Sequence, residues 1–250
     1  MGRKARQYGQ TGLYHIVYRG INRQNIFEED SDYVKKIDII SELKQGMQFE
    51  IYAYCLMTNH VHLLLKENNI GDISLIMKRL LVKYVGWFNK KYERNGALIA
   101  NRYKSQPLET DEYLLSVVRY IHQNPLKANL VRTLSDYKWS SYPEYLNKNE
   151  LINPEPILLM LDNNNENFKK FHEEEEKEIH EVNDRISKSE EYIRKRIIKI
   201  IGNKQPHEIG LLPKDQRNKI ISQLREIEGF SIRQIERATG ISRGIIAKIK

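Results

Sequence analysis

Two hydrophobic periods share the first 150 positions. Residues 12–19 (Gly-Leu-Tyr-His-Ile-Val-Tyr-Arg) are rich in aromatic and β-branched types and predict a first strand. From Ser31 to Lys44 the period lengthens, and Tyr33, Ile37, Ile40 and Leu43 fall on one face of a helix. Residues 48–57 and 60–66 predict two neighbouring strands. Residues 72–92 then predict a long amphipathic helix striped by Ile73, Ile76, Met77, Leu80, Leu81, Tyr84 and Trp87. A further helix opens at Thr110-Asp111, good capping types. It is expected to run to Gln123 and stop at Asn124-Pro125, because proline disfavours helix in the residue before it. Strands interleaved with helices around a tight hairpin predict an α+β sandwich on an antiparallel sheet.

Composition narrows the setting. Forty per cent hydrophobic content in 250 residues supports a real core, and the single cysteine, Cys55, rules out an internal disulfide framework. No leader-like or membrane-spanning apolar run is apparent, so a cytoplasmic protein without membrane contact is expected. The net charge of +8 is uneven. Residues 162–191 carry 5 Lys/Arg against 11 Asp/Glu, whereas residues 192–250 carry 14 against 5. Basic regions flanking an acidic one suggest a polyanionic partner. The expected organisation is a first, α+β domain over residues 1–150, an acidic helical linker over 151–205 and a small helical domain over 206–250. Residues 163–191 are expected to form a solvated helix plus linker.

The candidate chemistry begins at Thr58-Asn59-His60-Val61-His62-Leu63. Side chains alternate along a strand, so His60 and His62 share a face and form half of a divalent-metal site. A structural reading, one core and one surface histidine, stands beside it. A second cluster, Arg119-Tyr120-Ile121-His122-Gln123-Asn124-Pro125, lies at the end of the last predicted helix. Positions i and i+4 share a helical face, which aligns Tyr120 with Asn124, while Leu114, Val117, Val118 and Ile121 supply the buried stripe. With this helix over the His60/His62 face, Asn124 supplies a third ligand and Tyr120 a nucleophile. A free phenol has a pKa near 10, so such a nucleophile needs an electrophile activated by a cation. Imidazole ligands favour Mn²⁺, and a substrate phosphate completing the shell suits Mg²⁺.

These residues resemble the HUH-type single-tyrosine transposases, and within them the REP-associated tyrosine transposases. The resemblance runs through nearly all of residues 8–145. It is carried by Tyr14-His15-Ile16-Val17-Tyr18-Arg19-Gly20 with Asn22-Arg23, by Tyr54 to Leu63, by Gly96 with Arg102-Tyr103-Lys104, by Tyr113-Leu114, by Arg119 to Ala128, and by Trp139-Ser140-Ser141-Tyr142. It implies a ferredoxin-like, RNA-recognition-like sheet. It also implies metal-dependent cleavage and rejoining of single-stranded or hairpin DNA through a covalent 5′-phosphotyrosine. Tyr120 then becomes the nucleophile, with His60, His62 and Asn124 the ligands of Mg²⁺ or Mn²⁺. Two positions depart from the pattern: Asn129 stands where glycine is expected, and Thr58 where proline is common.

Arg19, Asn22, Arg23, Arg102 and Lys104 are the expected DNA contacts of this domain. Tyr18 and Tyr103 are candidates for base stacking or for core packing, and His122 for a phosphate donor or a helix end. His172, His180 and the run Glu173 to Glu176 read as surface. Leu64, where a third histidine would complete H-x-H-x-H, argues against a nucleotide hydrolase.

Residues 214–250 predict three short helices: one ending at Gly229, one beginning at Ser231 with Gln234 completing a capping box, and one from Arg243 to Lys250 capped by Ser242. They resemble a helix-turn-helix of the resolvase or sigma-factor type with Gly240 and Ile241 in the turn, though Glu236 and Gly244 depart from it. Ser242, Arg243 and Lys248 are then the expected contacts to duplex DNA. Two rival readings are a hairpin-binding protein that does not cut and a metal-dependent RNA-processing nuclease. A monomer and a homodimer with shared active sites both fit the sequence.

Overall fold

The computed structural model describes residues 9–100, 102–147, 151–176, 197–198, 200–202, 206–226, 230 and 232–249. Four strands form one sheet: β1 (Leu13–Arg19), β2 (Glu50–Met57), β3 (His60–Lys66) and β4 (Lys104–Pro107). Their order is β2-β3-β1-β4 and every neighbouring pair is antiparallel. With α1 (Asp30–Met47) between β1 and β2 and α2 (Ile73–Lys91) between β3 and β4, the chain traces the split βαβ arrangement of a ferredoxin-like sheet.

The two faces of the sheet follow from alternation. Tyr14, Ile16 and Tyr18 of β1 and Val61, Leu63 and Leu65 of β3 are buried on the face that meets α1 and α2. There Lys36 of α1 sits over the rings of Tyr18 and Tyr84 at 5.0 and 4.5 Å. The opposite face carries His15, Val17, His60 and His62 and meets α3 (Asp111–Lys127). Tyr18 and Tyr103 are both buried in the core, which settles them as packing residues.

β2 is an edge strand, and its outer side is closed by the segment after α3. Leu56 donates its N–H to the Trp139 carbonyl (2.9 Å) and Ser141 to the Tyr54 carbonyl (3.0 Å), while the Ser141 hydroxyl accepts from Tyr54 N–H (2.8 Å). Further along, the Tyr145 hydroxyl donates to the Tyr52 carbonyl at 2.6 Å and Asn153 N–H to the Ile51 carbonyl at 2.8 Å. The Trp-Ser-Ser-Tyr run thus satisfies a backbone edge that would otherwise template pairing with another chain.

The hairpin and the long helices agree with their sequence periods, but α3 does not end where expected. It runs through Pro125 to Lys127. Proline removes one N–H and crowds the carbonyl four residues back, but in a last turn that loss is small beside the packing of Val117, Val118 and Ile121. The helix closes on a Schellman motif: Asn129 has φ +54°, Leu130 N–H reaches the Pro125 carbonyl (3.0 Å) and Asn129 N–H the Leu126 carbonyl (2.9 Å). A left-handed residue is required there, which explains why asparagine replaces glycine at this position.

Residues 151–176 are no solvated linker. Helices α4 (Tyr142–Leu146), α5 (Glu155–Leu159) and α6 (Asn165–Glu173) add Tyr142, Tyr145, Ile157 and Phe168 to the first core. Packing divides the chain into Met1–Val182 and Asn183–Lys250, placing this segment with the sheet. His172 and Glu176 are buried, contrary to the surface reading, because α6 lays its apolar side against α3. His180 and the remainder of the expected linker to 196 lie outside the described residues.

In the second unit a 3-10 turn (Pro206–Leu211) precedes α7 (Lys214–Glu226), α8 (Ile232–Thr239) and α9 (Arg243–Ala247). Ile209, Ile221, Leu224, Phe230, Ile235, Ile241 and Ile246 form its core. The turn falls where expected, with Gly240 at φ +74°. Helix α9 stops at Ala247, short of the expected Lys250, where the Arg225 guanidinium takes the Ile246 and Ile249 carbonyls. Ser242 is the N-cap residue, but its side chain makes no capping bond. Gly229 and Ser231 lie outside the described residues, as does the side chain of Gln234.

Two substitutions test this account by urea denaturation. The buried Glu67 carboxylate accepts from the Tyr14 hydroxyl (3.0 Å), Gly71 N–H (3.0 Å) and Ile73 N–H (2.6 Å), pinning the start of α2. Glu67→Ala is expected to lower stability by roughly 2–3 kcal/mol. Asn129→Ala should cost about 1 kcal/mol and Asn129→Gly less than about 0.5 kcal/mol, the order a left-handed C′ position demands.

Candidate active site

The hairpin turn at Thr58-Asn59 sets the site. Met57 pairs with His60 and Cys55 with His62, so both histidines project from the face opposite the Val61–Leu65 core. Their rings lie 5.1 Å apart between centroids. The β1 register then brings in a residue that sequence reasoning left without a role. Val17 pairs with His62, which places His15 on the same face, with its Nε2 3.1 Å from His62 Nδ1. The His15 and His62 rings stack at 5.4 Å.

Helix α3 delivers the phenol. Tyr120 is buried edge-on against both rings, 5.5 Å from His62 and 5.9 Å from His15 between centroids. Lys127, two turns on, lies 5.3 Å above the Tyr120 ring. Asn124 lies one turn after Tyr120 and its Nδ2 donates to the Tyr120 carbonyl at 2.7 Å. That bond commits the amide's NH₂ end and leaves Oδ1 as the lone-pair end.

Electrostatics keep the imidazoles neutral. Burial, aided by Arg19, pulls His60 down to about 4. Burial drives His62 well below its ordinary value, with His60, His15 and Arg19 adding to the effect. Both rings therefore hold free lone pairs at neutral pH, the form a metal requires. His60 Nδ1 lies 2.7 Å from Asn59 Oδ1, and His62 Nδ1 faces His15. Such outer partners fix ring orientation. Among the described residues no group of three His, Cys, Asp or Glu side chains is placed to hold a metal.

The expected DNA contacts distribute around this face. Arg19 pairs across strands with His60, and Lys104 of β4 pairs with Val17, so both flank the imidazoles. Asn22 and Arg23 are exposed in the turn after β1, both with positive φ (52° and 61°), and Arg102 is exposed just before β4. Gly20 shapes that turn: a Cβ there would meet the Gln24 carbonyl oxygen at 2.1 Å. In the second unit Ser242, Arg243 and Lys248 are exposed, with Arg243 ion-paired to Glu236.

His122 serves neither of its expected roles. It is buried between His172 Nε2 and the Ser141 hydroxyl, each at 2.8 Å. Gln123, unassigned from sequence, is also buried, and its side-chain amide bonds to the backbone of residues 172–176. Ser141 lies 19 residues beyond His122, while His172 and the partners of Gln123 lie about 50 residues downstream, all beyond the reach of local pattern.

Among the described residues no helix is long and apolar enough to cross a membrane. The family model described as "Transposase IS200 like" matches residues 10–124. A curated Haemophilus influenzae relative named a REP-associated tyrosine transposase is 28% identical over 156 residues, covering 57% of this chain and 86% of its own. The solved structure of a REP-associated tyrosine transposase bound to a REP hairpin shares the fold at a TM-score of 0.50 and 20% identity, covering 59% of this chain and 87% of that one. The matched residues hold the whole sheet, its three imidazoles and the Tyr120–Asn124 turn, and over that stretch the chain is similar to the IS200-like transposases and to a REP-associated tyrosine transposase.

Proposed function

We propose that the chain cuts and rejoins single-stranded or hairpin DNA through a covalent bond between Tyr120 and a 5′-phosphate. The observation that carries this reading is the burial of the Tyr120 phenol edge-on against the His15/His62 pair, with Asn124 one turn away. A tyrosine placed only for packing has no need of two imidazoles against its ring. His60, His62 and Asn124 would hold Mg²⁺ or Mn²⁺, which when bound polarises the phosphoryl oxygen. Positions left open in a three-donor set suit a phosphate ligand.

The chain's own residues then do the following. Tyr120 Oη forms a bond to phosphorus as the P–O3′ bond breaks, the phenol loses its proton and the 3′-oxygen gains one. The phosphodiester energy is kept in the phosphotyrosine, and attack by another 3′-hydroxyl reverses the step. Arg19 and Lys104, on the imidazole face, and Asn22, Arg23 and Arg102, near its rim, are assigned to the phosphate backbone. The hairpin held by the structural relative supports the same substrate class. In the second unit, α8, the Gly240 turn and α9 are assigned as a helix-turn-helix reader of duplex DNA, with Ser242, Arg243 and Lys248 at the contact.

Incubation of the full chain with Mn²⁺ and a labelled hairpin oligonucleotide from the flanks of its own gene should give a protein–DNA adduct on a denaturing gel. Tyr120→Phe and EDTA should each abolish it. Binding without an adduct identifies a non-cutting hairpin protein, and cleavage without an adduct identifies a nuclease.

For the second unit, Arg243→Ala combined with Lys248→Ala should weaken duplex binding several-fold. It should also reduce the slope of log K against log salt by about 2, one unit per lost phosphate contact. An unchanged slope in a binding titration refutes the assignment.

A further inference from the structure

Helix α3 carries its functional side chains across a weak point. Pro125 has no N–H to offer the Ile121 carbonyl, so the turn holding Asn124 lacks one of its helical bonds. Asn124 nevertheless has to keep its register with Tyr120 one turn earlier.

The segment after α6 supplies the missing restraint. Gln123 uses both amide hydrogens and its oxygen on that segment's backbone. Nε2 donates to the His172 carbonyl (3.0 Å) and the Glu174 carbonyl (2.7 Å), and Oε1 accepts from Glu176 N–H (3.0 Å). On the other side of the proline, Lys127 Nζ donates to the Glu176 carbonyl at 2.8 Å. Arg119 ties the start of the same stretch through Glu174 at 2.9 Å and stacks over Phe171 at 4.0 Å. His122 bonds His172 at 2.8 Å. Residues 119 to 127 are thus stitched to a strap made of the end of α6 and the residues that follow it, with bonds on both sides of Pro125.

We infer that Gln123 is a positioning residue: with Lys127 and the 172–176 strap it splints α3 across Pro125 and thereby holds the Asn124 amide in register with Tyr120 and the imidazoles. The strap comes from beyond residue 124, where the family match ends, so this chain supplies the splint from outside the matched segment. The Gln123 side chain is buried and fully bonded, so its loss frees the strap backbone and the helix end together. The inference rests on the reading of Asn124 as a metal ligand and Tyr120 as nucleophile.

Two readouts on the full-length chain test it. The first, hydrogen exchange by mass spectrometry, needs no activity. Gln123→Ala should speed exchange over residues 121–130 by about tenfold, with 111–119 and β2–β3 unchanged, and Lys127→Met should do so by a smaller factor. The second is the Mn²⁺ concentration giving half-maximal adduct with the hairpin oligonucleotide. Gln123→Ala should raise it by about tenfold, the usual effect of losing an outer partner of a ligand, while hairpin affinity stays the same. Gln123→Glu, which sets a carboxylate against two carbonyls, should match or exceed Gln123→Ala in both.

Wild-type exchange over 121–130 in Gln123→Ala overturns the splint. So does acceleration spread evenly over the whole first unit, which marks general destabilisation. Local acceleration with an unchanged Mn²⁺ midpoint overturns the positioning role. Absence of any adduct from the wild-type chain, or an undiminished adduct from Tyr120→Phe, fails the underlying reading instead, and the exchange data still judge the splint.

Discussion

The register between β1 and β3 is the constraint on which the remainder of the molecule depends. Pairing Val17 with His62 and Arg19 with His60 puts three imidazoles on one face and Tyr14, Ile16, Val61 and Leu63 on the other. Side chains alternate with a period of two, so a slip of one residue in β1 turns His15 into the hydrophobic core and Ile16 out of it. The core of aromatic and aliphatic side chains is therefore what specifies the polar site. The Thr58-Asn59 turn adds a second lock, because its short connection leaves β3 no freedom relative to β2.

Much of this was legible in the sequence wherever the determining interactions were local. The hairpin, the two amphipathic helices and the shared face of His60 and His62 all follow from periodicity within about twenty residues. His15 sits in a readable strand, but its role depends on which residue of β3 lies across from it, and that pairing is not local. Proline's local penalty predicts too early an end for α3 because tertiary packing of the helix opposes it. His172 looked like a surface residue in an acidic run, yet it bonds His122 and packs against Phe168. Composition describes the average of such a segment and cannot reveal the one side of α6 that is apolar.

The buried histidines illustrate how one residue type serves two ends. His122 and His172 form a closed chain: His172 Nδ1 donates to the Phe168 carbonyl (2.8 Å), which leaves its Nε2 to accept from His122. Burial holds both rings neutral, and their bonds end on Ser141 and a backbone carbonyl. His60 and His62 are equally neutral, and among the described residues each spends one nitrogen on a protein partner. Under the proposed function it is the other nitrogen, not the protonation state, that would set them apart from His122 and His172.

The closure of β2 by Trp139–Ser141 bears on how the chain emerges from the ribosome. Tyr54 and the serine that satisfies it are 87 positions apart. Until that stretch has been synthesised, the outer rim of the nascent sheet exposes unpaired amides beside a strongly apolar strand. Translation speed between these two points, and any chaperone that shields the growing rim, therefore govern how much of the protein escapes self-association before it is complete.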